Sequence, residues 1–174
     1  MAVVINGSAG VTTNSGAVYN GLQTGTAVTA SGTSVDFTSI PSWVKRITVM
    51  FSGVSGSGTS PFQIQLGDSG GFETTGYASG AGAIGTASAA GGASTTGLLL
   101  QQAGVAAATS SGLATITNVS GNTWVFASTF GTPSNGGNFG GGTKTLSDVL
   151  TQIRITTVNG TDTFDAGTIN IIYE

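Results

Sequence analysis

The chain has 174 residues, 30 of them glycine, with four Lys or Arg against seven Asp or Glu and a formal net charge of −3. So few cations cannot neutralise many phosphates, and we expect no nucleic-acid partner. The absence of cysteine excludes a disulfide framework and a thiolate metal site, and apolar runs such as Leu98–Leu100 are too short for membrane insertion.

Apolar and polar residues alternate with a period of two in several segments, which is typical of β-strands with one buried face. In the segment Arg46–Phe51, for example, residues 47, 49 and 51 are apolar and share one face. In Phe62–Leu66 the alternation places Gln63 and Gln65 on the solvent side. The sequence predicts strands at Val35–Phe37, Arg46–Phe51, Phe62–Leu66, Leu113–Val119, Thr123–Phe126, Gln152–Thr156 and Thr168–Tyr173.

Turn residues separate the predicted strands. The segment Ile40–Trp43 contains Pro41, which cannot lie in a central strand, so it predicts a corner or a single helical turn. Ser120–Asn122 is predicted to close a hairpin, and Asn159–Thr161 supplies the asparagine and glycine of a tight turn between the last two strands.

Together these patterns predict an all-β fold, an antiparallel β-sandwich of jelly-roll type with long loops rich in Gly, Ala, Ser and Thr. We expect an N-terminal extended arm or docking segment over residues 1–25 and a sandwich domain over residues 26–174. No long window has a convincing helical period, although Leu98–Ala107 has the composition of a short helical turn.

The middle of the chain, from Thr74 to Thr143, contains no charged side chain. Within it, Gly76–Gly97 and Gly131–Gly142 are rich in glycine and other small residues, and both are predicted to be loops. Two interpretations stay open. Each tract is either a flexible loop with little sequence constraint or a loop packed against another copy of the chain, where a charge would be costly to desolvate.

The segment Gly67–Gly71 has the sequence found around the nucleophile of chymotrypsin-like serine proteases, with Ser69 in the nucleophile position. A serine hydroxyl needs a neighbouring base to accept its proton, and in those proteases the base is histidine. The chain has no histidine. We therefore interpret Gly67–Gly71 as a β-turn and expect no catalytic residue and no enzymatic activity.

Three other patterns have weak functional interpretations. Gly80–Gly85 matches a dinucleotide-binding fingerprint but lacks the acidic residue that should follow, so we expect no bound cofactor. Asp162 and Asp165 could bind a hard cation, although a solvated loop is the favoured interpretation and no metal site is predicted. Trp43 and Trp124 adjoin apolar strands, which favours core packing over sugar stacking.

Three tracts resemble a domain of tailed-bacteriophage virion proteins that are often labelled tail fibre. They are Val3–Val11, Ile40–Ser55 and Ile153–Glu174. The resemblance implies a virion structural protein, either a tail-fibre or receptor-binding subunit that mediates host attachment or a capsid cement protein that decorates the head. It implies assembly in the host cytoplasm into the virion, with other virion proteins as partners and a host surface glycan or protein as a further one.

Such proteins work by repeating one interface, so we expect a homotrimer. If the chain is a tail-fibre subunit, loops held on the sandwich are where recognition is expected. The candidate contact regions are Gly53–Ser60, Gly76–Gly97 and Gly131–Gly142.

Overall fold

The structure, a computed structural model, describes residues 4–6, 10–12, 18–19, 21–85, 89–133 and 136–174. In these ranges the regular secondary structure consists of β-strands. The strands are β1 (Val4–Asn6), β2 (Gly10–Thr12), β3 (Val18–Tyr19), β4 (Gln23–Thr24), β5 (Val28–Thr29), β6 (Ser34–Phe37), β7 (Arg46–Gly56), β8 (Phe62–Asp68), β9 (Gly71–Phe72), β10 (Ala78–Ile84), β11 (Ala89–Ser94), β12 (Leu98–Leu99), β13 (Ser110–Ser120), β14 (Thr123–Thr132), β15 (Gly136–Thr145), β16 (Gln152–Thr157) and β17 (Phe164–Tyr173).

Two antiparallel sheets form a sandwich, which confirms the predicted fold class. The large sheet has nine strands in the order β11-β10-β15-β14-β13-β7-β17-β4, with β5 also paired to β17. The small sheet has five strands in the order β12-β8-β16-β6, with β9 paired to β8. Strands β1, β2 and β3 form a separate antiparallel meander.

The core lies between the inner faces of the two sheets, where the alternating apolar residues meet. Ile47, Val49 and Phe51 of β7 are buried, as the alternation predicted. Phe51 packs against Phe130 of β14 with ring centroids 4.7 Å apart. Full burial of each such side chain contributes about 1.5–3 kcal/mol, so this layer is the main source of stability.

The predicted turns are confirmed. The hairpin between β13 and β14 turns at Gly121, and the connection between β16 and β17 turns at Gly160, each with a positive φ that glycine adopts without strain. At the predicted corner, the amide of Val44 donates to the carbonyl of Pro41. This bond closes a turn that delivers the chain into β7.

The two glycine-rich tracts are strands, so the prediction of long loops there was wrong. Residues 78–84 and 89–94 form β10 and β11, and residues 136–145 form β15, all in the large sheet. Their ladders use backbone groups, which glycine and alanine supply as well as larger residues do. The sequence carries no alternation there because most of these side chains are a hydrogen or a methyl group.

Leu98–Ala107 is not helical, in contrast to the composition of the segment. Leu98 and Leu99 form β12 at the edge of the small sheet, and Leu98, Leu99 and Leu100 are all buried. Burial of three consecutive leucines between two sheets outweighs a helix preference that is worth only tenths of a kcal/mol per residue.

The placement of Gln63 and Gln65 on the solvent side was also wrong. They do lie on the outer face of the small sheet, but they are only 2% and 7% exposed. The segment before β12 covers them, because Thr96 donates its hydroxyl to Gln63 and accepts from the Gln65 amide through its carbonyl oxygen. Alternation identifies the face of a strand but not what lies over that face.

The boundary predicted near residue 25 stays a prediction. Strand β4, residues Gln23–Thr24, pairs with Tyr173 and Ile172 of β17, and the amide of Gly25 donates to the carbonyl of Ile171. Residues just before the predicted boundary are therefore hydrogen-bonded to the edge of the large sheet.

Gly140 is a position where we expect the glycine-rich sheet not to tolerate a side chain. A Cβ atom at Gly140 would lie 2.1 Å from the carbonyl oxygen of Leu99, whereas a Cβ at Gly137 on the same strand would meet nothing within 4 Å. Gly140→Ala should destabilise the fold by about 2 kcal/mol or more, because backbone must move to relieve the clash. Gly137→Ala should be neutral or mildly stabilising.

Urea denaturation of both variants, followed by tryptophan fluorescence, measures the two changes. Equal midpoints for the two variants would contradict the close approach of β12 to β15.

Candidate functional site

The protease-like segment is a hairpin turn, as interpreted from the sequence. Asp68 pairs with Gly71 across the turn that joins β8 to β9, and Ser69 is exposed at its tip. The Asp68 carboxylate accepts hydrogen bonds from the amide of Gly70 at 2.8 Å and from the hydroxyl of Ser147 at 2.7 Å. The role of this segment is therefore to turn the chain and to anchor the 146–150 connection.

The other motifs are placed without the partners that their chemistry would need. Gly80–Gly85 lies mostly within β10, and the next described element is the strand β11. Asp162 accepts from Asn159 in its own turn and from the amide of Ser60, which lies just before β8, while Asp165 accepts from Ser55 on β7. Across the ranges that the structure describes, no group of three acidic side chains is placed to hold a metal ion.

The tryptophans pack as expected. Trp124 is buried in the core cluster, and Trp43 lies partly buried against it with its ring centroid 6.0 Å from that of Tyr173. Burial of Trp124 leaves no free ring face for sugar stacking at that position.

A partly buried polar cluster, which we call the polar clasp, links the two sheets at one end. It consists of Asp68, Glu73, Tyr77, Lys144 and Ser147. Lys144 of β15 is 6% exposed and forms an ion pair with Glu73, and its Nζ lies 5.2 Å from the centroid of the Tyr77 ring. Glu73 also accepts from the amide of Ser147 at 2.7 Å. The sequence analysis missed this cluster because its members are separated by up to 79 positions.

The clasp favours ionised carboxylates and a neutral phenol. The Ser147 hydroxyl, with the Gly70 amide, lowers the pKa of Asp68. Burial raises the pKa of Glu73, but the hydrogen bonds from Lys144 and Ser147 outweigh burial and lower it overall. Burial raises the pKa of Tyr77 above its usual range. The shifted pKa values keep Asp68 and Glu73 ionised and Tyr77 neutral near pH 7, which favours the hydrogen bonds that link the two sheets.

The first candidate interaction surface is the outer face of the large sheet, which we call the neutral face. Here the rows of side chains across β13, β14, β15, β10 and β11 follow the strand register and carry no charge. Leu113 and Phe139 are each 53% exposed on it. The Phe139 ring lies over Gly82, beside a shallow depression whose floor includes Gly80 and Gly91.

The predicted contact regions fall partly on this face, as strands and not as loops. Gly76–Gly97 and Gly131–Gly142 contribute β10, β11 and most of β15, with residues 86–88 and 134–135 outside the described part of the chain. Gly53–Ser60 begins inside β7, which extends to Gly56. The interpretation of a surface suited to packing against another copy stays a prediction.

The second candidate surface is a polar groove on the outer face of the small sheet, with a volume of about 380 Å³. Its floor is formed by Gln63 and Gln65 of β8 and by Arg154 and Thr156 of β16. The sequence analysis missed this groove because it placed both glutamines in open solvent.

Comparison with known proteins gives no further assignment: no family model, no curated protein and no solved structure matches the chain. Within the described residues no helix is long and apolar enough to cross a membrane. Any function must therefore be argued from the surfaces themselves.

The polar clasp predicts a stability that depends on acidic pH. The lowered pKa values of Asp68 and Glu73 mean that the folded state binds fewer protons than the unfolded state. Their contribution is complete above the ordinary carboxyl pKa of about 4 and is lost as the pH falls through the lower folded values. Thermal unfolding should therefore show a falling midpoint below about pH 4.

Asp68→Asn should lower the midpoint of thermal unfolding at neutral pH, because the amide nitrogen of asparagine cannot accept a hydrogen bond from Ser147. It should also reduce the fall of the midpoint below about pH 4. The matched control is Asp148→Asn, which alters an exposed neighbouring carboxylate. If the midpoints of Asp68→Asn and Asp148→Asn fell equally below about pH 4, the clasp would not be the source of the pH dependence.

Proposed function

We propose that this chain is a structural subunit of a tailed-bacteriophage virion, a tail-fibre or receptor-binding subunit that mediates host attachment and assembles with copies of itself through the neutral face. The resemblance of the tracts Ile40–Ser55 and Ile153–Glu174 to virion proteins supports the setting. The single observation that carries the assembly role is the absence of charge on the neutral face among the described residues of five adjacent strands.

The size of the neutral face suits a specific interface. Five strands spaced about 4.8 Å apart and seven residues long cover roughly 400–500 Å² in projection. Two such faces in contact would bury on the order of 1,000 Å², near the lower limit for a specific protein–protein interface. A second copy is the favoured occupant because the face has no charge that would require a complementary partner.

The relief of the neutral face supports contact between copies. Phe139 and Leu113 protrude, and the glycine floor near Gly80 and Gly91 gives a depression next to them. Where the ridge of each copy enters the depression of the next copy without a reciprocal contact, the interface is heterologous, and it forms a ring when the rotation between copies closes. We expect three copies, in keeping with the predicted homotrimer.

The self-association predicts a specific effect of one charge. Phe139→Glu should convert the assembly to monomers, because the carboxylate would have to be desolvated in the interface without a partner. Light scattering after size-exclusion chromatography should give three times the 17.0 kDa chain mass for the unmodified protein and one chain mass for the variant.

Val149→Glu is the matched control, since Val149 is 42% exposed on the 146–150 connection, outside the neutral face. It should leave the mass unchanged. A monomeric unmodified protein at working concentration would contradict the proposal.

The position on the particle is tested separately, by electron microscopy of intact virions labelled with an antibody to this chain. Label at the tail supports the attachment role. Label on the shell would replace it by the alternative of a capsid cement protein, and the absence of label from particles would remove the virion setting altogether.

A further inference from the structure

The polar groove is built as a binding site and not as an ordinary solvated sheet face. The side chains of an outer sheet face usually point into water, whereas Gln63 and Gln65 are nine-tenths or more buried. Thr96 stands on one side of the groove and Ser34 on the other, and the turn at Gly160 closes one end. The result is a concave space of about 380 Å³, in the size range of pockets for small molecules.

Hydrogen-bonding capacity is left over on the floor of the groove. The Gln65 amide nitrogen donates to the Thr96 carbonyl at 3.0 Å, but no described residue donates to its oxygen Oε1. Arg154 donates through Nε and Nη2 to Asp36 at 2.8 and 2.7 Å, which leaves its Nη1 without an acceptor among the described residues. An unused acceptor oxygen and an unused donor nitrogen thus lie on adjacent paired residues, Gln65 and Arg154.

These groups are held in place before any ligand arrives. The Arg154 guanidinium lies 4.2 Å from the centroid of the Phe72 ring and is fixed by two bonds to Asp36. Gln65 is fixed through its own amide nitrogen. Side chains that are already ordered lose little conformational entropy on binding, which favours affinity.

The chemistry of the lining selects the ligand. Arg154 is already neutralised by Asp36, so the groove has no spare positive charge for a phosphate or another strong anion. Val158 is the apolar side chain in a lining otherwise made of amides, hydroxyls, glycine and this arginine, so a hydrocarbon ligand gains little. Amide and hydroxyl groups can both donate and accept, as the neighbouring hydroxyl groups of a sugar do.

We propose that the polar groove binds a neutral saccharide, with one or two pyranose rings over Gln65 and Arg154. Adjacent ring hydroxyls would donate to Gln65 Oε1 and accept from Arg154 Nη1. The biological meaning rests on the attachment role proposed above, since the ligand would then belong to a surface glycan, but binding itself is a property of the isolated protein.

Saturation-transfer NMR on the purified full chain tests the proposal. The probes are the methyl glycosides of glucose, galactose, mannose and N-acetylglucosamine and the disaccharides maltose and lactose. At the affinity per atom usual for small ligands, we expect at least one probe to bind with a dissociation constant of about 1 mM. Inorganic phosphate and the open-chain polyol sorbitol should not compete with it.

Two variants locate the binding. Gln65→Ala removes the unused acceptor and should weaken binding by about tenfold. Gln23→Ala is its matched control, because Gln23 is an exposed glutamine on β4 at the edge of the other sheet. Thr33→Trp fills the groove from its exposed rim and should abolish binding. The substitution keeps the Thr33 carbonyl, which accepts from the Thr156 hydroxyl. Thr24→Trp on β4 is the control and should leave binding unchanged.

The outcomes separate this inference from the proposed function. If none of the probes binds, or if Thr33→Trp binds as well as Thr24→Trp, the groove is not a saccharide site. Competition by phosphate would overturn the assignment to a neutral ligand. Label on the tail of the virion without sugar binding would support the attachment role and reject the saccharide site. Sugar binding by a protein that is absent from particles would support the saccharide site and reject the attachment role.

Discussion

The contact between the backbone of Leu99 and Gly140 is the constraint on which the rest of the architecture depends. The segment from Thr96 to Leu100 runs along the edge of the small sheet and connects it to the large sheet. It joins the small sheet through Leu100, whose amide donates to the carbonyl of Phe62. It joins the large sheet through Leu99, whose amide donates to the Ser79 hydroxyl at 2.9 Å. This position is possible because β15 presents a glycine to the Leu99 carbonyl. The same segment carries Thr96 over Gln65 and so creates one wall of the polar groove.

How much of the fold could be predicted depends on whether a strand shows an alternation of apolar and polar side chains in the sequence. Strands with an apolar inner face, such as β7 with Ile47 and Val49, were predictable because burial leaves a period of two in the sequence. Strands β10, β11 and β15 show no such alternation, because glycine has no side chain that would distinguish the buried face from the exposed face. Their strand state follows from backbone pairing with neighbours far away in the chain, as in the register of Gly82 with Phe139, and local sequence does not encode such pairing.

The groove and the polar clasp were missed for a related reason. Each depends on contacts between positions that are distant in sequence, such as Lys144 with Glu73 and Arg154 with Asp36. A third pair joins Arg46 to Glu174 at the end of the last strand. Three of the four cations are therefore paired with carboxylates of the same chain. Among the described residues, no charged side chain lies on the outer face of the large sheet between β13 and β11.

The two outer faces of the sandwich point away from each other and differ in chemistry. The neutral face belongs to the large sheet and the polar groove to the small one, so contact between copies through the first leaves the second open to solvent. A weak site for a single sugar then becomes useful, because several grooves on one assembly bind a glycan-bearing surface with an avidity far above that of one groove. Neither face relies on net charge, so both self-association and sugar binding should depend little on salt, unlike recognition that is steered by charge. A sequence with few charges is thus suited to both proposed tasks, because its cations link the fold internally and its surfaces act through shape and neutral hydrogen bonds.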